Sequence, residues 1–76
     1  MEISEISPAL ERAEALKVDG KYSEALTVLE EILGIDPSNI VALEEIADNE
    51  LSLDHYDRAA AAAKQAISLD QKSYMS

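Results

Sequence analysis

The sequence predicts an all-α fold, built as two tandem helix–turn–helix hairpins that form a fragment of an α-solenoid. Four segments carry apolar residues spaced three and four apart, the period of an amphipathic helix, and none alternates as a strand would. Residues typical of helix ends and turns separate these segments. The sequence also aligns with itself at an offset of 34 residues, a period typical of helical repeat arrays.

The first predicted hairpin comprises helices over about residues 7–18 and 23–33. Ser7 is a good N-cap, and the proline after it is tolerated in the first helical turn. Gly20 is expected to end this helix. Ser23 is predicted to cap the second helix, and Gly34 to end it in the left-handed conformation that is common at that position.

The second predicted hairpin comprises helices over about residues 39–53 and 57–69. Pro37 disfavours helix for the residue before it, and Ser38 or Asn39 can cap the helix that follows. Asp57 is predicted to cap the last helix, which contains an alanine run of high helix propensity. The predicted core of the two hairpins comprises Leu16, Ala25, Leu29, Ile32, Leu43, Ile46, Ala47, Ala59, Ala63 and Ile67.

The self-alignment defines one domain over residues 1–76, with a first repeat over about 6–39 and a second over about 40–73. Residues 74–76 are predicted to begin a third repeat whose remainder is missing. The matched pairs are Ile6 with Ile40, Glu11 with Glu45, Ala13 with Ala47, Tyr22 with Tyr56, Ala25 with Ala59, and Asp36 with Asp70.

The segment GKYSEALTVLEEILGIDPSN, residues 20–39, resembles the second half of a tetratricopeptide repeat, and DHYDRAAAAAKQAISLD, residues 54–70, looks like the same half of a second copy. The resemblance implies stacked helical hairpins, with small residues where helices approach closely and Tyr22 and Tyr56 filling the space above each turn. The sequence departs from the family pattern at Arg12 and Glu50 (commonly large and apolar), Asp54 (commonly Gly), Ala63 (commonly bulky) and Gln71 (commonly Pro).

The composition indicates which kinds of partner and which cellular location to expect. Sixteen acidic against six basic side chains give a net charge of −10, which disfavours nucleic acid and anionic membranes as partners. The negative charge either serves only to keep the domain soluble or also attracts a basic partner. There is no cysteine, the start of the chain lacks the features of a signal peptide, and no apolar run is long enough to span a bilayer, so a cytoplasmic location is expected.

The residues do not predict an enzyme, a cofactor or a metal site. His55 lies between Asp54 and Asp57, and a solvated turn histidine is favoured over a metal ligand there because metal sites need several ligands at suitable spacing. The adjacent pairs Glu30-Glu31 and Glu44-Glu45 point in different directions around a helix, so neither forms a catalytic dyad.

In the family, the first helix of each repeat lines a concave groove that binds peptides or partner helices. The resemblance implies that this groove presents Leu10, Glu14, Lys17, Val41, Glu44, Glu45, Asp48 and Ser52. Members that bind the acidic C-terminal tails of heat-shock chaperones carry Lys and Asn at positions matching Leu10, Glu14, Glu44 and Asp48, so that specificity is not expected here. A basic or apolar peptide suits the groove better, although these acids could also simply be solvated.

These observations favour a protein-interaction scaffold that is a fragment of a longer protein. The first alternative is a self-assembling helical module, a homo-oligomer whose contact comprises Ile67, Leu69, Tyr74 and Met75. It is considered because nothing in the sequence downstream covers Ile67, Leu69 and the alanine run of the last helix. The second is an accessory domain of a larger enzyme or regulatory complex.

Overall fold

The computed structural model describes the backbone of residues 6–75 and the side chains of residues 6–70. Four helices follow one another: α1 (Ile6–Val18), α2 (Tyr22–Ile35), α3 (Ile40–Ser52) and α4 (Tyr56–Met75). Helix α1 packs on α2 and α3 packs on α4, which makes two hairpins, and α2 packs on α3, which stacks them. No strand occurs over residues 6–75. The predicted all-α, two-hairpin fold is confirmed.

The turn within each hairpin has the same geometry, one repeat apart. Gly20 has φ of +80° and Asp54 has φ of +63°, so both lie in the left-handed region. The amide after each donates to a carbonyl five residues back, from Lys21 to Leu16 and from His55 to Glu50, both at 2.8 Å. These bonds satisfy carbonyls that a helix end leaves unpaired. Asp54 therefore occupies a position for which glycine is better suited.

The turn between the hairpins corrects one predicted boundary. Helix α2 continues through Gly34, which does not have a positive φ, to Ile35. It ends there because Pro37 disfavours the helical conformation for the residue before it. Asp36 leaves the helix with φ of −134° while its amide still donates to Ile32. The predicted cap at Asn39 is confirmed, since its Oδ1 accepts from the Ala42 amide at 2.9 Å.

Three other predicted caps are wrong, because Ser7, Ser23 and Asp57 each lie inside a helix rather than before it. Helix α2 begins after Lys21, which makes no side-chain capping bond. Asp57 instead lies in the first turn of α4, where its negative charge interacts favourably with the helix dipole. Helix α4 also runs past the predicted end at residue 69, because no proline or glycine stops it there.

The hydrophobic core is concentrated in the first hairpin and its contact with α3. Leu29, Ile32 and Ala42 are fully buried. Ala42 was not among the predicted core residues. Of those that were, besides Leu29 and Ile32, Ala25, Leu43 and Ala59 are buried, whereas Leu16, Ile46, Ala47 and Ala63 are half-buried. The prediction for Ile67 is wrong: it is 58% exposed, because no helix among the described residues packs over that side of α4.

The two repeat-matched tyrosines differ in their surroundings. Tyr22 is half-buried, in line with the packing role that the resemblance implies. Tyr56 is 63% exposed, and its hydroxyl donates to Asp54 Oδ1 at 3.1 Å, so the expectation that it fills the space above its turn is wrong. The second hairpin therefore contributes less apolar packing at its turn than the first.

Candidate functional site

The residues expected to bind a partner lie on one side of α1 and one side of α3. Residues 10, 14 and 17 follow each other at helical spacing on α1, and residues 41, 44, 45, 48 and 52 do so on α3. We refer to these eight residues as the α1–α3 stripe. Leu10, Lys17 and Glu45 are half-buried and the other five are exposed.

Lys17 joins the two halves of the α1–α3 stripe. Its ammonium donates to Glu45 Oε2 at 3.0 Å and to Asp48 Oδ2 at 2.9 Å. These hydrogen bonds, the one to Asp48 most strongly, raise the pKa of Lys17 above its usual range. The side chain is only 25% exposed, so its charge is held between the two hairpins rather than offered to solvent.

The paired lysine leaves the α1–α3 stripe acidic. The stripe carries four carboxylates, those of Glu14, Glu44, Glu45 and Asp48, and one ammonium, which contacts only the last two. Over the described side chains, neither Glu14 nor Glu44 takes part in an ion pair, and both are exposed. The stripe therefore presents unpaired negative charge on both helices that form it.

Two further members of the α1–α3 stripe make contacts within the fold. Leu10 packs against the hydrophobic core cluster, so only part of its side chain is accessible. The Ser52 hydroxyl donates back to the Asp48 carbonyl of its own helix at 3.2 Å. Val41 is 52% exposed and is the main apolar residue that the stripe offers to solvent.

His55 is tied to a buried carboxylate, a pair that the sequence reasoning missed. Its Nδ1 lies 2.8 Å from Glu50 Oε1; the histidine side chain is 45% exposed and that of Glu50 is 9% exposed. The sequence contained a signal for this pair. Glu50 stands at a position where the family commonly has a large apolar residue, and His55 follows five residues later at the turn. Among the described residues, no group of three or more His, Cys, Asp or Glu side chains is arranged to hold a metal ion.

A second surface lies on the open side of the second hairpin. A shallow groove of about 450 Å³ runs between α3 and α4. We refer to it as the α3–α4 groove; its lining residues are Ile40, Glu44 and Ala47 of α3 and Ala63, Ala66, Ile67 and Asp70 of α4. Of the residues that line it, sequence reasoning identified Ile67 and Ala63, the latter as part of the alanine run, as uncovered, and the 34-residue offset could have located the others.

The residues expected to mediate self-association are only partly described. Ile67 is exposed in the α3–α4 groove. Leu69 is half-buried and lies at a separate crevice with Pro37 and Leu43. The side chains of Tyr74 and Met75 lie outside the described residues, although the backbone of both belongs to α4.

The two stacked helical hairpins are the architecture of a helical repeat protein, and comparison with protein families identifies the kind of repeat. The family model of the tetratricopeptide repeat matches residues 19–76, more than half of the sequence. The chain belongs to the tetratricopeptide repeat family, whose members in general are protein-interaction scaffolds and typically non-enzymatic. A comparison with curated proteins found no match. Over the described residues, no helix has both the length and the apolar content needed to cross a membrane.

Proposed function

We infer that this chain is a non-enzymatic interaction module of a longer cytoplasmic protein, and that its α1–α3 stripe binds a partner segment that is basic or apolar rather than acidic. The observation that carries this proposal is the engagement of Lys17 by two carboxylates. It removes the only cation of the stripe from contact with a ligand and leaves two glutamates unpaired. Such a surface attracts Lys or Arg and repels a carboxylate tail.

The exposed residues of the α1–α3 stripe determine how tightly and how selectively it can bind. Glu14 and Glu44 stand in solvent, where ion pairs contribute modestly and are screened by salt. Val41 supplies an apolar contact next to them. We therefore expect micromolar rather than tighter binding to a single short segment, with selectivity that comes mainly from charge.

Calorimetric titration with two peptides tests this proposal. One peptide alternates Lys with Leu, and the other replaces every Lys with Glu. The Lys peptide should bind, and its affinity should fall as salt is raised, because the contacts are exposed. Tighter binding of the Glu peptide would refute the proposal.

Charge-neutral variants locate the contact. Glu14→Gln with Glu44→Gln leaves the Lys17 bridge intact and should weaken binding of the Lys peptide by about threefold to tenfold. Glu30→Gln with Glu31→Gln removes the same charge from an exposed part of α2 and is the matched control. An equal loss in both double variants would mean that only the net charge matters and that the stripe is not the site.

Self-association through Ile67, Leu69, Tyr74 and Met75 is the alternative function. The exposure of Ile67 favours it, because an uncovered apolar side chain on a small helical module tends to find a partner surface. Sedimentation over a concentration series decides between the two, since a monomer at every concentration contradicts the alternative. An association that Ile67→Ser abolishes would support it.

A further inference from the structure

Lys17 binds two of the four carboxylates of the α1–α3 stripe. Its ammonium lies 3.0 Å from Glu45 Oε2 and 2.9 Å from Asp48 Oδ2, and both contacts join the first hairpin to the second. These hydrogen bonds raise the pKa of Lys17, so the ammonium stays charged at neutral pH and well above it. Two of the carboxylates that a basic partner would meet are therefore already bound to a cation of the same chain.

The carboxylates that Lys17 covers lie close enough to the surface for a partner to reach them. The side chains of Glu45 and Asp48 are 32% and 56% exposed, whereas that of Lys17 is 25% exposed. A cation from outside can therefore take the place of the Lys17 ammonium at the same two oxygens. Lys17 and a basic partner compete for one pair of acids.

Lys17 has an advantage over any cation that arrives from solution. It belongs to the same chain, so it meets the two carboxylates at an effective concentration on the order of millimolar, as tethered groups do. A partner segment must displace this ammonium to gain contacts that the fold already makes. We expect a micromolar segment to leave Glu45 and Asp48 with Lys17 and to contact Glu14 and Glu44 instead.

The first repeat carries the same pair of acids without a covering cation. Glu11 and Glu14 stand 34 residues before Glu45 and Asp48. Both are exposed, and over the described side chains neither takes part in an ion pair. The acids are common to the two repeats, whereas Lys17 covers only the second pair. Its effect on binding can therefore be separated from that of the acidic positions themselves.

We propose that Lys17 is an autoinhibitory contact of the α1–α3 stripe: it holds Glu45 and Asp48 in the free protein, and its neutralisation frees both for Lys or Arg of a partner. This inference rests on the proposed function of the stripe, since it requires a basic partner. It adds that Lys17 keeps the affinity below what four carboxylates allow. If Lys17 served only to join the hairpins, its loss would loosen the stripe and weaken binding, which is the opposite sign.

Calorimetric titration of Lys17→Gln with the peptide that alternates Lys and Leu tests the proposal. Glutamine removes the charge, keeps a polar side chain and adds no apolar surface. We expect this variant to bind the peptide about threefold to tenfold more tightly than the unmodified chain, because two partly exposed carboxylates become available. The gain should disappear in high salt, since it comes from exposed charges. Unchanged or weaker binding by the folded variant would overturn the proposal.

Three further variants separate this effect from others. Lys17→Arg keeps a cation at the two carboxylates and should not show the gain. Lys64→Gln removes the same charge from an exposed position of α4, outside the stripe, and should change the affinity by less than about twofold. Lys17→Gln combined with Glu45→Gln and Asp48→Asn removes the freed carboxylates and should lose the gain. An equal gain in Lys64→Gln, or a gain that survives in the triple variant, would overturn the proposal.

The failure of this proposal is distinguishable from the failure of the proposed function. Far-UV circular dichroism checks the fold of each variant, and Lys17→Met repeats the test if Lys17→Gln is unfolded. If the unmodified chain prefers the Lys peptide to the Glu peptide and neutral variants of Lys17 show no gain, the autoinhibitory contact is refuted and the proposed function stands. If no protein prefers the Lys peptide, the proposed function is refuted and the autoinhibitory contact with it.

Discussion

Replacing Leu29 with alanine should remove a large share of the stability of this domain. Leu29 is fully buried in the core cluster between the two hairpins. A buried leucine truncated to alanine costs about 2–5 kcal/mol, because a cavity is added to the lost transfer free energy. A domain of 76 residues has a free energy of unfolding of about 4–11 kcal/mol, from about 0.05–0.15 kcal/mol per residue. The expected loss is therefore at least about a fifth of the total, and about half of it at the middle of both ranges.

Thermal and urea unfolding followed by far-UV circular dichroism measures this loss. For a domain of this size each kcal/mol corresponds to about 4–8 °C, so the midpoint should fall by about 10 °C or more. Ile67→Ala is the control: this side chain is 58% exposed, and its truncation should cost less than about 1 kcal/mol. Equal losses in the two variants would refute the assignment of the core to the first hairpin and α3.

Four further substitutions test the inter-helix ion pairs, a helix cap and the two turns within the hairpins. Lys17→Met should lower the free energy of unfolding by about 0.5–2 kcal/mol, since two partly exposed ion pairs are lost. Because the pKa of Lys17 is raised in the fold, this difference should be constant around neutral pH and, as the pH is raised, should begin to shrink only above about pH 10.4, the ordinary lysine value. A difference that is already lost on going from about pH 7 to about pH 9 would contradict it. Asn39→Ala should cost about 1 kcal/mol in urea titrations through loss of the bond to the Ala42 amide, and no measurable loss would mean that this cap is not formed. Gly20→Ala should cost about 1–2 kcal/mol from its positive φ alone, since no atom crowds an added Cβ, whereas Asp54→Gly should stabilise by about 0.5 kcal/mol; effects of the same sign would contradict the shared turn geometry.

The sequence predicted the fold because its signals are periodic and local. Apolar spacing located the four helices, and the 34-residue offset paired them into two hairpins. Helix ends were predicted less well. Glycine is a typical residue at a helix end, yet Gly34 stays helical. Helix α2 stops at Ile35 instead, because Pro37 disfavours the helical conformation for Asp36. Ser23 and Asp57 are good caps by type, but the turn geometry after Gly20 and Asp54 starts each helix earlier.

The candidate sites depend on contacts between helices, which a sequence pattern does not specify. The acidic character of the α1–α3 stripe could be predicted residue by residue from the family resemblance. The engagement of Lys17 by both Glu45 and Asp48 could not, because it requires the distance between α1 and α3. Similarly, the bond from His55 to Glu50 arises from the chain reversal at Asp54. Ile67 was assigned to the core from its helical spacing, which does not show whether another helix packs over it.

Residue-resolved amide NMR during titration with the Lys–Leu and Glu–Leu peptides shows whether the α1–α3 stripe is an acidic interaction surface. We expect the Lys peptide to shift the amides around Glu14, Val41 and Glu44 and to leave the outer face of α2 near Glu30 unchanged, while the Glu peptide shifts none of them. Shifts caused by the Glu peptide at the same amides, or shifts from the Lys peptide spread evenly over all four helices, would contradict it.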